Sequence, residues 1–167
     1  MIVTSRLMLT QPSPENEERM EKIVGWLNDP DTMRYSEQRH LNHHVSLQKV
    51  YIAMMHEPNK YMEIHYGKSL IGTISAKVDR NNDVADVGIL IGERRVWGNG
   101  FGTEAWKAFC DHLLGHGIRK IEAGAMAINY GMIHVFRKTG MHEEGRRSGH
   151  FLVGNELVDL TMWARFI

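Results

Sequence analysis

Trp97-Gly98-Asn99-Gly100-Phe101-Gly102-Thr103-Glu104-Ala105 sets three alternating glycines directly before an amphipathic helix and just after an apolar strand. Glycine lets consecutive backbone N–H groups turn toward one point with no Cβ in the way. The helix that follows adds the positive end of its dipole. Such a junction suits an anion, and a phosphate-bearing cofactor is its natural occupant; a tight turn with no ligand is the alternative. Two familiar phosphate motifs do not fit. A P-loop needs Lys-Ser or Lys-Thr after its last glycine, where this chain has Thr103-Glu104. The dinucleotide fingerprint G-x-G-x-x-G fails on spacing, and charged residues from Glu93 to Arg95 separate the loop from its strand.

Outward from the loop the pattern is α+β. Upstream, three strands read as a meander, Tyr61 to Tyr66, Leu70 to Val78 and Val84 to Ile91, with turns at Gly67-Lys68 and Asn81-Asn82. Downstream, Trp106, Phe109, Cys110 and Leu113 form the inward stripe of a helix closed by Gly115 and Gly117. A strand from Lys120 to Ala127 follows, then a short helix capped by Asn129, bearing Met132, Val135 and Phe136 and stopping at Gly140. Two last strands, Met141 to Gly149 and Glu156 to Phe166, flank a turn at Gly154-Asn155. The helix between the strand ending at Ile91 and the one starting near Lys120 requires a right-handed crossover, so those strands are parallel neighbours in a mixed sheet. Toward the N-terminus, one strand spans Ile2 to Thr10, and Ser13-Pro14-Glu15 starts a helix with Met20, Ile23, Val24 and Leu27 on one face. Asn28-Asp29-Pro30 ends it, residues 31 to 45 read as irregular, and Ser46 starts a helix striped by Leu47, Val50, Tyr51, Met54 and Met55.

The composition fits a soluble domain of ordinary size: 167 residues, 43% apolar, with no run long enough to span a bilayer. Lys plus Arg and Asp plus Glu number 20 each, so no global field draws the chain to nucleic acid or to an anionic membrane. Met1 to Arg6 lacks the basic and apolar segments of a signal peptide, and Cys110 is the only cysteine, which together point to the cytoplasm.

The loop and the strand before it resemble the acyl-CoA pyrophosphate loop of the GNAT superfamily of N-acetyltransferases, whose core is Gln/Arg-x-x-Gly-x-Gly/Ala. Trp97 stands where Gln or Arg is usual, and Gly100 and Gly102 fill the two small positions. Trp97 with Thr103-Glu104-Ala105 is similar to the RimJ/RimL-like branch. So are Ser5-Arg6-Leu7, Trp26-Leu27-Asn28-Asp29-Pro30, Met33-Arg34-Tyr35, Asn129, Lys138-Thr139-Gly140-Met141, Glu144-Gly145 and Asp159, which spread the resemblance over nearly the whole length. It implies one domain over residues 1–167. The sheet would be mixed and mostly antiparallel, with roughly seven strands, splayed central parallel strands and about four flanking helices.

The activity implied is transfer of acetyl from acetyl-CoA to a primary amine, by direct attack in a ternary complex. The acceptor is a protein N-terminus, an amino sugar, a polyamine or another small amine. Strands parting at Gly92 would offer Leu90 and Ile91 to the pantetheine arm. Trp97, Gly98, Asn99, Gly100, Phe101, Gly102 and Thr103 would surround the pyrophosphate. Asn129, in the position of the family's second cofactor motif, would lean on the far side of the arm, serve as a plain helix cap, or both. A non-catalytic acyl-CoA-binding module is the reading from a different class.

Attack on a thioester needs a neutral amine. An α-amino group of pKa near 8 is about a tenth neutral at pH 7, whereas a lysine-like amine near 10.4 is neutral less than about one part in a thousand. Asp86 is the candidate base, directly or through a water. It lies opposite the face of Val87, Ile89 and Ile91, has Gly88 beside it for room, and matches an acidic position common in the family. A surface carboxylate with an ion-pair partner is the alternative. Glu93 reads as a solvated strand end and Glu104 as the complement of its helix N-terminus. A backbone N–H at Leu90 or Ile91 would meet the oxyanion.

The leaving group is where the chain departs from the family. Positions that often carry a Tyr or Ser hydroxyl are Phe136 and Met132 here, and neither donates a proton. A cysteine-like thiol of pKa near 8.5 leaves tolerably without an acid. His134 is either a substitute or an exposed helix histidine.

From Arg34 to Lys49 the chain is locally basic, with Arg34, Arg39, His40, His43, His44 and Lys49 against Glu37. In the resemblance this segment and the last hairpin frame the acceptor. Tyr35, Glu37, His40 and His150 are then the expected contacts, and a phosphate-bearing or acidic acceptor suits the charge. His112 and His116 have no carboxylate or cysteine clustered with them, so no metal is assigned, and Cys110 reads as core. An exposed final strand would let a second copy pair, so the chain is expected as a monomer or homodimer.

Overall fold

Strands β1 (Ile2–Val3), β2 (Leu7–Thr10), β3 (Lys60–Tyr66), β4 (Ser69–Asp79), β5 (Val84–Ile91), β6 (Lys120–Met126), β7 (His142–Val153) and β8 (Glu156–Phe166) build one eight-stranded sheet in the order β1-β2-β3-β4-β5-β6-β8-β7. The structure, a computed structural model, describes residues 1–41, 46–56 and 60–167. Helices α1 (Glu17–Leu27), α2 (Pro30–Met33), α3 (Leu47–Met55), α4 (Phe101–Leu114) and α5 (Tyr130–Lys138) flank the sheet, with 3-10 turns at Glu37–Leu41 and Arg94–Val96. All pairings are antiparallel except β5 with β6, which α4 joins by the expected crossover. No helix among the described residues is long and apolar enough to cross a membrane.

Two apolar layers position the site. On one face α4 buries Phe101, Ala105, Trp106, Phe109, Cys110 and Leu113, and α5 adds Ile133 and Phe136, all packed on Ala85, Val87, Ile121 and Ala123 of the central strands. Each large side chain removed from water contributes about 1.5–3 kcal/mol. On the other face Met20, Ile23 and Trp26 of α1 and Val50 and Met54 of α3 cover Leu70, with Tyr61 and Leu90 at the margin. Because successive strand residues point to opposite faces, Asp86 shares this second face with Leu90.

Several boundaries differ from the sequence reading. The strand expected over Ile2 to Thr10 is a hairpin of β1 and β2, whose turn closes through Thr4 N donating to Leu7 O at 2.9 Å. Asn16, not Ser13, caps α1, its side chain accepting from Arg19 N. Ser13 N instead donates to Glu63 Oε1 at 3.0 Å; this fully buried carboxylate also holds Arg19 Nη1 at 3.1 Å and His65 Nε2 at 2.9 Å, tying α1 to β3. Part of the segment expected to be irregular forms α2 and a 3-10 turn. Ser46 caps α3 as read, yet Leu47 and Met55 of its stripe are exposed, and the side chain of Tyr51 lies outside the described residues. The final strand is not an edge: β8 lies between β6 and β7. The edge strand β7 is interrupted by irregularities at Glu143/Gly145 and Arg147/Phe151 and carries Glu143, Arg146 and Arg147, features that discourage edge-to-edge pairing.

Candidate active site

The parallel ladder between β5 and β6 has only three registered pairs, Val84↔Lys120, Ala85↔Ile121 and Asp86↔Glu122. Beyond them β5 runs on to Ile91 and β6 to Met126 without pairing, so the strands fork just past Asp86. This is earlier than the expected parting at Gly92. Antiparallel bonding alternates, and Gly92 N donates to Ile71 O at 3.0 Å, which fixes the phase on the β4 side. By that phase Leu90 directs its backbone groups at Thr73, while Val87, Ile89 and Ile91 direct theirs into the fork. The N–H and C=O of Leu90 thus face the β4 ladder, and Ile89, not Leu90, faces the fork. Ile91 O accepts from the Trp97 indole Nε1 at 2.7 Å.

The glycine loop follows the fork. Arg94 pairs with Asp29 at 2.6 Å and Asp31 at 3.0 Å, which pins the 3-10 turn before it. Gly98 and Gly100 have φ of +78° and +79°, a left-handed conformation that strains any residue with a Cβ. Gly102 has no such φ, and a Cβ there would make ordinary contact with Ile91 Cγ1 at 3.6 Å. The amides of Trp97 and Asn99 donate within the turn, to Arg94 O and Val96 O. Those of Gly98, Gly100, Phe101, Gly102 and Thr103 have no protein acceptor among the described residues, and α4 starts with no side-chain cap. Five unpaired amides at and just before a helix N-terminus are suited to an anion. Phe101 contributes only its amide, because its ring is buried against Tyr66.

Glu104 does more than complement the helix dipole. It accepts from Thr4, Ser5 and Arg6, and Arg6 Nη1 donates to Asn99 O at 3.0 Å. Burial works against the carboxylate, but those hydrogen bonds outweigh it and hold its pKa below the ordinary range. The sequence shows no local signal for this tie, whose partners lie a hundred residues apart.

Asp86 sits at the last registered pair, opposite Lys77 on β4 and Glu122 on β6. Asp86 is exposed, yet the protein packed around it displaces enough water to raise its pKa. Glu122 and Glu37 raise it further, and Lys77 opposes them. A cavity of about 540 Å³ opens beside it, lined by Lys77, Arg119 and Lys120 as well as Asp79, Asp86 and Glu122, with Lys120 3.5 Å from Glu122. A Cβ added at Gly88 would meet nothing within 4 Å, so the floor next to Asp86 is clear.

In the segment read as basic from its composition, Arg34 and Arg39 both make contacts within the protein. Arg39 donates to Ser36 O and Leu152 O and lies 5.5 Å over Phe151, so its charge docks the segment on the last hairpin. Arg34 stacks 4.9 Å over Tyr35, and Tyr35 packs with Met126, Phe151 and Leu160. Glu37 is the member of this segment that acts on Asp86. His40 and His150 are exposed, and His150 packs edge-on against Phe151. His43 and His44 lie outside the described residues.

Asn129 caps α5, accepting from Met132 N at 3.2 Å, just past the end of β6. Phe136 is fully buried between Trp106 and Trp163, Met132 is half-buried, and His134 is exposed. Cys110 is core, and burial pushes its thiol up to about 12. His112 and His116 stack at 4.1 Å, and among the described residues no group of three or more ligating side chains forms.

The structure is similar to spermidine N-acetyltransferase from Vibrio cholerae in complex with CoA and spermine, at TM-score 0.83 and 19% identity over 98% of this chain and 96% of that one. It is similar to RimL, a ribosomal L7/L12 alpha-N-protein acetyltransferase in complex with coenzyme A, at TM-score 0.82 and 17% identity over 99% and 96%. It is also similar to the microcin C7 self-immunity acetyltransferase MccE in complex with acetyl-CoA and AMP, at TM-score 0.80 and 15% identity over 98% and 94%. These likenesses establish the fold. No curated protein matches the chain. Residues 6–142 match the acetyltransferase (GNAT) domain, and with the forked sheet and the loop at its mouth this places the chain in the GNAT acetyltransferase family.

Proposed function

We propose that residues 1–167 form a cytoplasmic, RimJ/RimL-like N-acetyltransferase that moves acetyl from acetyl-CoA to the primary amine of a cationic acceptor, by direct attack in a ternary complex. The observation that carries this reading is the fork: the β5–β6 ladder stops at Asp86↔Glu122, leaving strand backbone open beside a carboxylate of raised pKa. The solved relatives in complex with CoA or acetyl-CoA support the choice of cofactor.

The residues fit that cofactor. The fork-facing N–H and C=O of Ile89 and the N–H of Ile91 complement the amides of a pantetheine arm, as an added strand would. The amides of Gly98, Gly100, Phe101, Gly102 and Thr103 complement a diphosphate, and Asn129, which caps α5 just past β6, would lean on the far side of the arm. When bound, acetyl-CoA supplies the activated acetyl group and carries away the thiol.

Asp86 accepts the proton of the acceptor ammonium. Its raised pKa narrows the gap to the amine and makes that transfer easier. Glu37 and Glu122 attract a cationic acceptor to the same place, with Tyr35, His40 and His150 at the rim. Those carboxylates also favour the protonated amine, so turnover rises with pH until deprotonation stops limiting it. The Ile89 amide faces the fork and is available to an oxygen that gains charge. Phe136 and Met132 donate no proton, so the sulfur would leave as a thiolate and take its proton from solvent.

A free-thiol assay with acetyl-CoA over a panel of amines tests the proposal. Diamines and polyamines are expected to outrun neutral amino sugars and phosphate-bearing amines. Asp86→Asn is expected to lower turnover by about a hundredfold or more with CoA affinity unchanged. A thermal shift from acetyl-CoA with no thiol release from any amine would make the chain an acyl-CoA-binding module instead.

A further inference from the structure

We propose that Arg6 is a positioning residue for the cofactor loop, holding the loop in shape and neutralising Glu104 at the point where the diphosphate sits. This rests on the reading of the glycine loop as a diphosphate cradle. Arg6 lies in the β1–β2 turn, yet it reaches three consecutive loop residues and the first turn of α4. Its Nη1 donates to Asn99 O at 3.0 Å, a Cβ on Gly100 would stand 3.6 Å from its Nη2, and its guanidinium lies 4.4 Å over the Phe101 ring. Its Nε and Nη2 both meet Glu104 Oε2, at 2.7 and 2.6 Å. The other carboxylate oxygen, Oε1, takes Arg6 N at 3.0 Å, Thr4 Oγ1 at 2.6 Å and Ser5 Oγ at 3.0 Å.

Charge decides the role. A carboxylate in the first turn of a helix competes with any anion for the same helix end. Glu104 is in that position, and five donors from one turn of chain satisfy it and turn it aside. The guanidinium charge is matched by Glu104, so Arg6 adds no net positive charge to the cradle; it acts as a brace and screen for the loop. Two guanidinium nitrogens converging on one carboxylate oxygen, with Nη1 on Asn99 O, set an orientation that a lysine cannot reproduce.

The test compares binding of CoA, dephospho-CoA and pantetheine, measured by calorimetry on wild type, Arg6→Ala, Arg6→Lys, Glu104→Gln and Arg6→Ala/Glu104→Gln. Pantetheine keeps the arm and lacks the diphosphate; dephospho-CoA keeps the diphosphate and lacks the 3′-phosphate. Wild type is expected to bind CoA and dephospho-CoA far more tightly than pantetheine. Arg6→Ala is expected to weaken both diphosphate ligands about tenfold or more, with pantetheine unchanged within about twofold. Arg6→Lys falls between, and adding Glu104→Gln to Arg6→Ala recovers part of the loss because the bare carboxylate is gone.

If wild type does not prefer CoA over pantetheine, the cradle reading itself fails. If wild type prefers CoA and Arg6→Ala keeps the full preference, or loses CoA and pantetheine equally, the role assigned to Arg6 is refuted. Should Arg6→Ala not fold, Arg6→Lys retaining the complete preference refutes it equally.

Discussion

Replacing Gly100 with valine separates the loop's conformation from its ligand. Gly100 sits at φ +79°, where an L-residue pays roughly 1–2 kcal/mol and a β-branched one more. At about 2–4 °C per kcal/mol for a chain of this size, the free variant is expected to melt about 2–8 °C below wild type. CoA at about a hundred times its dissociation constant stabilises wild type by about 2.7 kcal/mol, a rise of about 5–11 °C. A hundredfold weaker complex at the same concentration retains about 0.4 kcal/mol, a rise of about 1 °C. Differential scanning fluorimetry with and without CoA reads both numbers. Gly102→Ala is the control: its φ is not left-handed and its Cβ would stand 3.6 Å from Ile91 Cγ1, so the free variant should melt at or slightly above wild type. A Gly100→Val protein with the full CoA shift would place the diphosphate elsewhere. One with an unchanged melting point would mean that the loop is not held left-handed.

Asp86→Asn is expected to leave melting at pH 7 unchanged or raise it while activity falls. A carboxylate whose folded pKa is raised stabilises the fold only below its unfolded pKa, and that contribution is lost as pH rises through the folded value. A lower melting point at pH 7 would instead reveal a structural ion pair. Gly92→Ala should destabilise by about 1–3 kcal/mol in urea titration, because its Cβ would fall inside the Trp26 ring. Cys110, with its thiol at about 12, should resist a thiol reagent at pH 8 in the native protein and react promptly in denaturant, which also keeps the free-thiol assay free of background.

The middle of the chain was readable because its signals are local. Val84 to Ile91 matches β5 end to end, and Trp106, Phe109, Cys110 and Leu113 are all buried on α4. The N-terminal third was less so. Ser13 looked like a cap and proved to be held by Glu63, fifty residues away, and the strand drawn through Ser5-Arg6 is broken by a turn that Glu104 helps hold. At the candidate site, the loop could be named from its glycine spacing, and Asp86 from its place on the strand together with the family resemblance. Glu37 could be named only as an acceptor contact, and its action on Asp86, like the roles of Glu122 and the tie from Arg6 to Glu104, could not be read, since nothing nearby in the chain announces those partners.

Glycine punctuation and the alternation of apolar residues specified the strands, the helices and the crossover, because each depends on neighbours a few positions apart. Which backbone groups face the fork, where the fork begins and which sign of charge surrounds Asp86 were settled by packing. The phase of β5 against β4 turned Ile89 rather than Leu90 toward the gap. Packing also brought Glu122, Glu37 and Lys77 close enough to act on Asp86. Register and through-space electrostatics are properties of surfaces brought together by folding, and neither is written in any one stretch of residues.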